Sequence, residues 1–209
     1  MKASHSMKND TCIIIGNGPS LNDVPMGFLQ KYPTWGVNKI FLQRADGHII
    51  RPDYYVTVHA DMAPLAEEIK SLNSQMFITD KIAHLFPGCQ PIHSVGEHAF
   101  FKRHGKRWDL WEGWSVIYVC LQLAYWLDFR TALLVGLDHD YTFGSFHPDY
   151  DNVTGTDPHD QDKLLPAFRL AKQYWEADGR RIINITPNTK EPIFEKGYIT
   201  KWFPSLLWE

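Results

Sequence analysis

Several large functional classes are excluded by what this chain has little of. Its 209 residues include three cysteines, Cys12, Cys89 and Cys120, and they form no Cys-x-x-Cys pair. That leaves neither a disulfide framework nor a cysteine zinc motif, and it points to a reduced, cytoplasmic protein. No stretch approaches the ~18 consecutive apolar residues of a membrane span, and the start lacks the apolar core of a signal peptide. The expectation is a chain that neither crosses a membrane nor enters the secretory route. Positive charge is not in excess, with 21 Lys and Arg against 24 Asp and Glu and a net charge of -3. The one dense basic run, Lys102-Arg103-His104-Gly105-Lys106-Arg107, is short, so nucleic acid is not an expected partner. Nothing repeats at a fixed period and no Ser/Gly-rich linker divides the chain. Residues 1–10 read as a disordered start or an expression scar, and residues 11–209 as a single domain.

What is present is a recurrence of short apolar runs rich in β-branched residues. They fall at 12–16, 34–37, 54–59, 76–79, 91–95, 131–136 and 181–186, and they read as strands. Helical patterns lie between them at 24–31, 64–71, 114–127 and 163–178, the last stopped by Gly179. Strands that are continuously apolar belong to a sheet buried on both faces. The fold class expected is therefore α/β, a Rossmann-like three-layer sandwich with a mostly parallel sheet. The segment 138–162, rich in Asp, His, Gly and Pro, is too long for a plain connection and is a candidate functional loop. The tail Tyr198-Ile199-Thr200-Lys201-Trp202-Phe203-Pro204-Ser205-Leu206-Leu207-Trp208 is aromatic and is expected to pack on its own domain. A homo-oligomer or membrane-surface contact is the alternative.

In such sheets ligands sit beyond the carboxyl ends of the strands, and the first strand-to-helix turn supplies backbone N–H groups to phosphate. Gly16-Asn17-Gly18-Pro19-Ser20 occupies that place, with Gly16 and Gly18 for close approach and Asn17 and Ser20 as side-chain donors. It is not a Walker loop, having no Gly-Lys-Ser/Thr, and a plain turn with Ser20 or Asn22 capping a helix is the competing reading. A second strand ends in Gly136-Leu137-Asp138-His139-Asp140-Tyr141. There Asp138 and Asp140 are candidates to orient a hydroxyl, a histidine or Mg²⁺, and Tyr141 to bond a phosphate, or else Asp138 caps a turn. Asn38, His59 and Asp61 follow other strands. His147 and His159 lie among aspartates, and either is a candidate general base, His159 being favoured because it precedes a helix.

At these residues the chain resembles two related families, the archaeal 6-hydroxymethylpterin diphosphokinase (MptE-like) proteins with their motility-associated relatives, and bacterial sialyltransferases of the Campylobacter type. The resemblance covers most of residues 11–190 and rests on Gly16-Asn17-Gly18-Pro19-Ser20-Leu21, Val37-Asn38, Pro52-Asp53-Tyr54-Tyr55-Val56-Thr57-Val58, Ser115-Val116-Ile117-Tyr118-Val119-Cys120, Leu134-Val135-Gly136-Leu137-Asp138 and Ile185-Thr186-Pro187-Asn188. Likeness to the sialyltransferases implies donor contacts at Asn17, Ser20, Asn38 and Ser115, a phosphate-binding tyrosine at Tyr141 and an acceptor-deprotonating base at His159. Glu112 stands where those enzymes carry an arginine near the donor, a departure that bears on CMP-sialic acid as substrate. Likeness to the diphosphokinases implies ATP with Mg²⁺ held by Asp61 and Asp138. The function expected is a nucleotide-dependent transferase without a tightly bound cofactor. It would move a sugar from a nucleotide-sugar donor to a small-molecule or surface-glycan acceptor. A pterin diphosphokinase and a non-catalytic nucleotide-binding module are the alternatives.

Overall fold

The computed structural model describes residues 10–95, 108–140, 144–150 and 161–204, without the side chains of Gln161 and Asp162. The expected N-terminal segment thus lies outside the described residues up to position 9. Asp10 already belongs to the fold, its carbonyl accepting from the backbone N–H groups of Arg130 and Thr131 at 2.7 and 3.0 Å.

The strands are β1 (Thr11–Ile15), β2 (Thr34–Val37), β3 (Tyr54–Thr57), β4 (Gln75–Thr79), β5 (Gln90–Ser94), β6 (Trp108–Leu110), β7 (Thr131–Val135), β8 (Arg181–Asn184) and β9 (Glu195–Lys196). Among the described residues they form one nine-stranded sheet in the order β6-β5-β4-β3-β2-β1-β7-β8-β9. Every neighbouring pair is parallel. The helices are α1 (Met26–Leu29), α2 (Ala66–Lys70), α3 (Val116–Trp126), α4 (Gln161–Ala177) and α5 (Ile199–Trp202).

The continuous apolar strands are explained by burial on both sides. On β1, Cys12 and Ile14 face one core, where α3 and α4 add Val119, Leu123, Phe168 and Ala171. Ile13 and Ile15 face the other, with Leu21, Phe28, Met62 and Ile69. β7 alternates in the same way, Ala132 and Leu134 against Leu133 and Val135. These layers make the Rossmann-like sandwich expected from the sequence.

Prolines shorten two expected helices. Residues Pro19–Asp23 form a 3-10 helix, and α1 starts only after Pro25. Pro64 lies in a second 3-10 helix, Ala60–Leu65, so α2 begins at Ala66. The described part of the aromatic tail packs on its own domain. Phe203 lies 6.0 Å from the Phe28 ring, and Lys31 Nζ donates to the Trp202 carbonyl at 2.8 Å. No described helix is long and apolar enough to cross a membrane.

Strand order places the centre of interest. From β1 the chain builds outward through β2 to β6, then returns by α3 to lay β7 against the other side of β1. The carboxyl ends of β1 and β7 therefore flank the topological switch point, where an open parallel sheet leaves a crevice for a ligand.

Candidate functional site

Two glycine turns close on each other at the switch point. Gly16 N donates to the Val135 carbonyl at 2.8 Å, and Gly18 N to the Gly136 carbonyl at 2.9 Å. A Cβ on Gly16 would collide with the Gly136 carbonyl, and one on Gly136, where φ is +64°, would collide with that of Gly16. The backbones approach this closely because neither position carries a side chain. The turns are then joined by Asp138, whose carboxylate accepts from Ser20 N at 3.2 Å and from Ser20 Oγ at 2.8 Å. Burial raises the Asp138 pKa; the Ser20 bonds oppose that, and Asp140 adds to it.

This arrangement alters the phosphate-loop expectation. Of the amides in the loop, those of Gly16, Gly18 and Leu21 bond to carbonyls and that of Ser20 to Asp138, while Pro19 has none. Asn17 N–H is what remains, so the loop does not offer a ring of amides to a phosphate. Ser20 also does not cap a helix, since its hydroxyl is committed to Asp138. What the loop presents is the Asn17 side chain. Its Nδ2 donates to Tyr150 Oη at 2.9 Å and lies 3.4 Å from the Val37 carbonyl, while its Oδ1 is buried with no hydrogen-bond partner among the described residues. A buried acceptor of this kind suits a donor supplied by a ligand or a water.

Asn38 joins it from the end of β2. This buried residue has φ +49°, and its Oδ1 accepts from Thr57 Oγ1 at 3.3 Å. Its carbonyl accepts from the Tyr55 hydroxyl at 2.8 Å, and its Nδ2 lies 3.5 Å from Tyr150 Oη. Tyr150 thus stands between the two asparagines. It belongs to a strap, residues 144–150, that folds over the first loop. Phe146 N donates to the Asn17 carbonyl and Asn22 Nδ2 to the Phe146 carbonyl, both at 2.9 Å. Lys39, 5% exposed, donates from Nζ to the carbonyls of Asp149 and Tyr150, each at 3.0 Å. Sequence reasoning passed over Lys39 and Tyr150. A buried lysine directly after Asn38 at a strand end was the available signal for the first, and nothing local marks the second.

The other expected residues divide. His147 bonds within its own strap, its Nδ1 accepting from Asp149 N at 3.1 Å. Ser115 precedes α3, and its side chain makes no capping bond. Asp140 pairs with Lys190 at 2.6 Å. Tyr141 and His159 lie outside the described residues. Asp61 is exposed beyond β3, whereas Asp138 follows β7, three strand spacings or about 14 Å away across the sheet. Asp138 bonds Ser20 through both of its oxygens, and strand order does not bring these two carboxylates together. No group of three or more His, Cys, Asp or Glu suited to a metal occurs among the described residues.

The fold and the site together define a Rossmann-like α/β protein whose polar strand-end residues gather at the switch point of its sheet. The solved monofunctional α-2,3-sialyltransferase Cst-I from Campylobacter jejuni has this fold, at TM-score 0.53 and 15% identity over 89% of this chain and 79% of that one. The WbmH enzyme of Bordetella bronchiseptica, solved with NAD⁺, aligns at TM-score 0.29 and 10% identity over 96% of this chain and 63% of that one, too weakly to bear on the fold. No protein-family model and no curated protein matches the chain. The resemblance to pterin diphosphokinases therefore finds no support in these comparisons.

Proposed function

We propose that the chain is a nucleotide-dependent transferase of the glycosyltransferase type, moving a sugar from a nucleotide-sugar donor to a glycan acceptor. The observation that carries this reading is the convergence of Asn17, Asn38 and Tyr150 beside the Ser20–Asp138 link, at the switch point of a fold shared with a solved sialyltransferase. The Asn17 side chain keeps a buried acceptor, Oδ1, without a partner among the described residues, and an acceptor suits a ribose hydroxyl or a base amine, not a phosphate oxygen. The nucleoside half of the donor is therefore assigned to Asn17 and Asn38, with the Ser115 hydroxyl as a further contact.

In the reaction, His159 takes the proton from an acceptor hydroxyl as its oxygen attacks the anomeric carbon. The bond from that carbon to the nucleotide phosphate breaks, and the nucleotide leaves with the electron pair while Tyr141 bonds its phosphate. No metal step is included, since the two candidate carboxylates lie apart.

Isothermal titration with CMP-, UDP- and GDP-sugars tests the reading. One of them should bind, with affinity lost in Asn17→Ala, and His159→Ala should bind equally well without turnover. Binding with no turnover by the native chain would make it a non-catalytic nucleotide-binding module, and no binding to any donor would remove the proposal.

A further inference from the structure

A second feature lies away from the switch point. Between β6 and α3 the chain makes a tight turn in which Gly113 and Trp114 both have left-handed backbone, φ +56° and +60°. For a residue as large as tryptophan that conformation is unfavourable, by about 1–3 kcal/mol. Burial does not offset it, because Trp114 is 53% exposed. The turn is nonetheless held firmly. Gln122 Nε2 donates to the Trp111 carbonyl at 2.7 Å, and the Trp111 ring meets the Tyr118 ring edge-on at 5.4 Å. Gly113 sits so close to the Tyr118 ring that a Cβ there would overlap it.

Opposite the turn lies one face of α4. Lys163, Pro166, Arg169, Leu170 and Gln173 recur at helical spacing on the side away from buried Leu164, Ala167, Phe168 and Ala171. With the two indoles they line an open groove of about 710 Å³, a volume suited to a small ligand. Lys163 Nζ stands 4.4 Å from the Trp114 ring centroid. Arg169 is exposed and makes no hydrogen bond or ion pair among the described residues. Among the described residues no carboxylate lines the groove.

We propose that this groove binds an acidic saccharide, with the indoles of Trp111 and Trp114 against the apolar face of a sugar ring and Arg169 on its carboxylate. Flat aromatic faces match the C–H surface of a pyranose, a planar guanidinium matches a carboxylate with two parallel bonds, and Gln173 can serve a hydroxyl. Under the proposed transferase function, on which this role rests, the saccharide is the acceptor. The binding itself does not depend on that function.

Isothermal titration of the full chain with 3′-sialyllactose and trigalacturonate, against neutral lactose, tests the groove. Both acids should bind at least tenfold tighter than lactose, and Arg169→Gln and Trp114→Ala should each weaken them at least tenfold. The melting temperature and nucleotide affinity of both variants should stay as in the native chain. Equal affinity for acid and neutral sugars, no binding of either acid, unchanged affinity in both variants, or displacement of the acid by saturating nucleotide would overturn the proposal. Arg169-dependent binding of the acids in a chain that binds no CMP, UDP or GDP donor would uphold the groove and remove the transferase reading.

Discussion

Ser20 and Asp138, 118 positions apart in sequence, are joined by two hydrogen bonds that couple the end of β1 to the end of β7. Burial raises the Asp138 carboxyl above its ordinary value, opposed by the Ser20 bonds. The folded chain thus keeps this proton to higher pH than the unfolded chain. The contribution of Asp138 to stability is greatest below the unfolded value near ~3.9 and falls as pH rises through the raised folded value. Asp138→Asn should remove that fall, and Ser20→Ala, which takes away a bond favouring the carboxylate, should steepen it. Urea unfolding of the three proteins from pH 3.5 to pH 7 measures the differences. A native chain that gains stability over this range relative to Asp138→Asn would contradict the assignment.

Gly136 and Gly179 both have left-handed backbone, at φ +64° and +67°, but a Cβ on Gly136 meets the first loop whereas one on Gly179 meets nothing within 4 Å. Alanine at Gly179 should therefore cost about 1 kcal/mol, from backbone strain alone. Alanine at Gly136 should cost about 3 kcal/mol or more, because the two turns must also separate. Denaturant midpoints at constant m-value give the comparison, and equal losses would show that the close approach of the turns is not required.

The strap over residues 144–150 hangs on Lys39 and Tyr150. Lys39→Met leaves the two carbonyls without their donor, and Tyr150→Phe removes the hydroxyl between Asn17 and Asn38. Tyr150→Phe should lower stability by about 1 kcal/mol. Amide exchange over 144–150 should accelerate in both variants while β1 and β7 remain protected. Unchanged exchange would mean that the strap is held by Phe146 alone.

The tail makes a separate prediction. Phe203 packs on Phe28, and Lys31 lies over its ring at 5.6 Å while bonding the Trp202 carbonyl. Phe203→Ala should lower stability by about 2 kcal/mol. Sedimentation velocity should show no change in the mass of the particle, and a shift to a smaller species would instead make the tail a subunit contact.

The sheet was legible because its central strands carry apolar runs buried on both faces. Trp108–Leu110 has an aspartate in the middle and three residues in all, and Glu195–Lys196 has no apolar residue, so neither edge strand announces itself. Gly16, Gly136 and Asp138 were visible as strand-end residues, and their mutual contact follows from strand order. What strand order does not supply is the partner of each group. Ser20 had the composition of a helix cap or a phosphate donor, and its bonds to Asp138 leave it neither. Tyr150 reaches Asn17 across 133 positions, a distance over which local pattern carries no information.

The proposed function places the nucleoside of a sugar donor on Asn17 and its neighbours. Its most direct measurement is calorimetric titration of the native chain and Asn17→Ala with CMP-, UDP- and GDP-sugars. Saturable binding of one donor by the native chain is expected, with at least tenfold weaker binding by Asn17→Ala and the same melting temperature for both. Absence of binding to all three donors, or equal affinity in the two proteins, would contradict it.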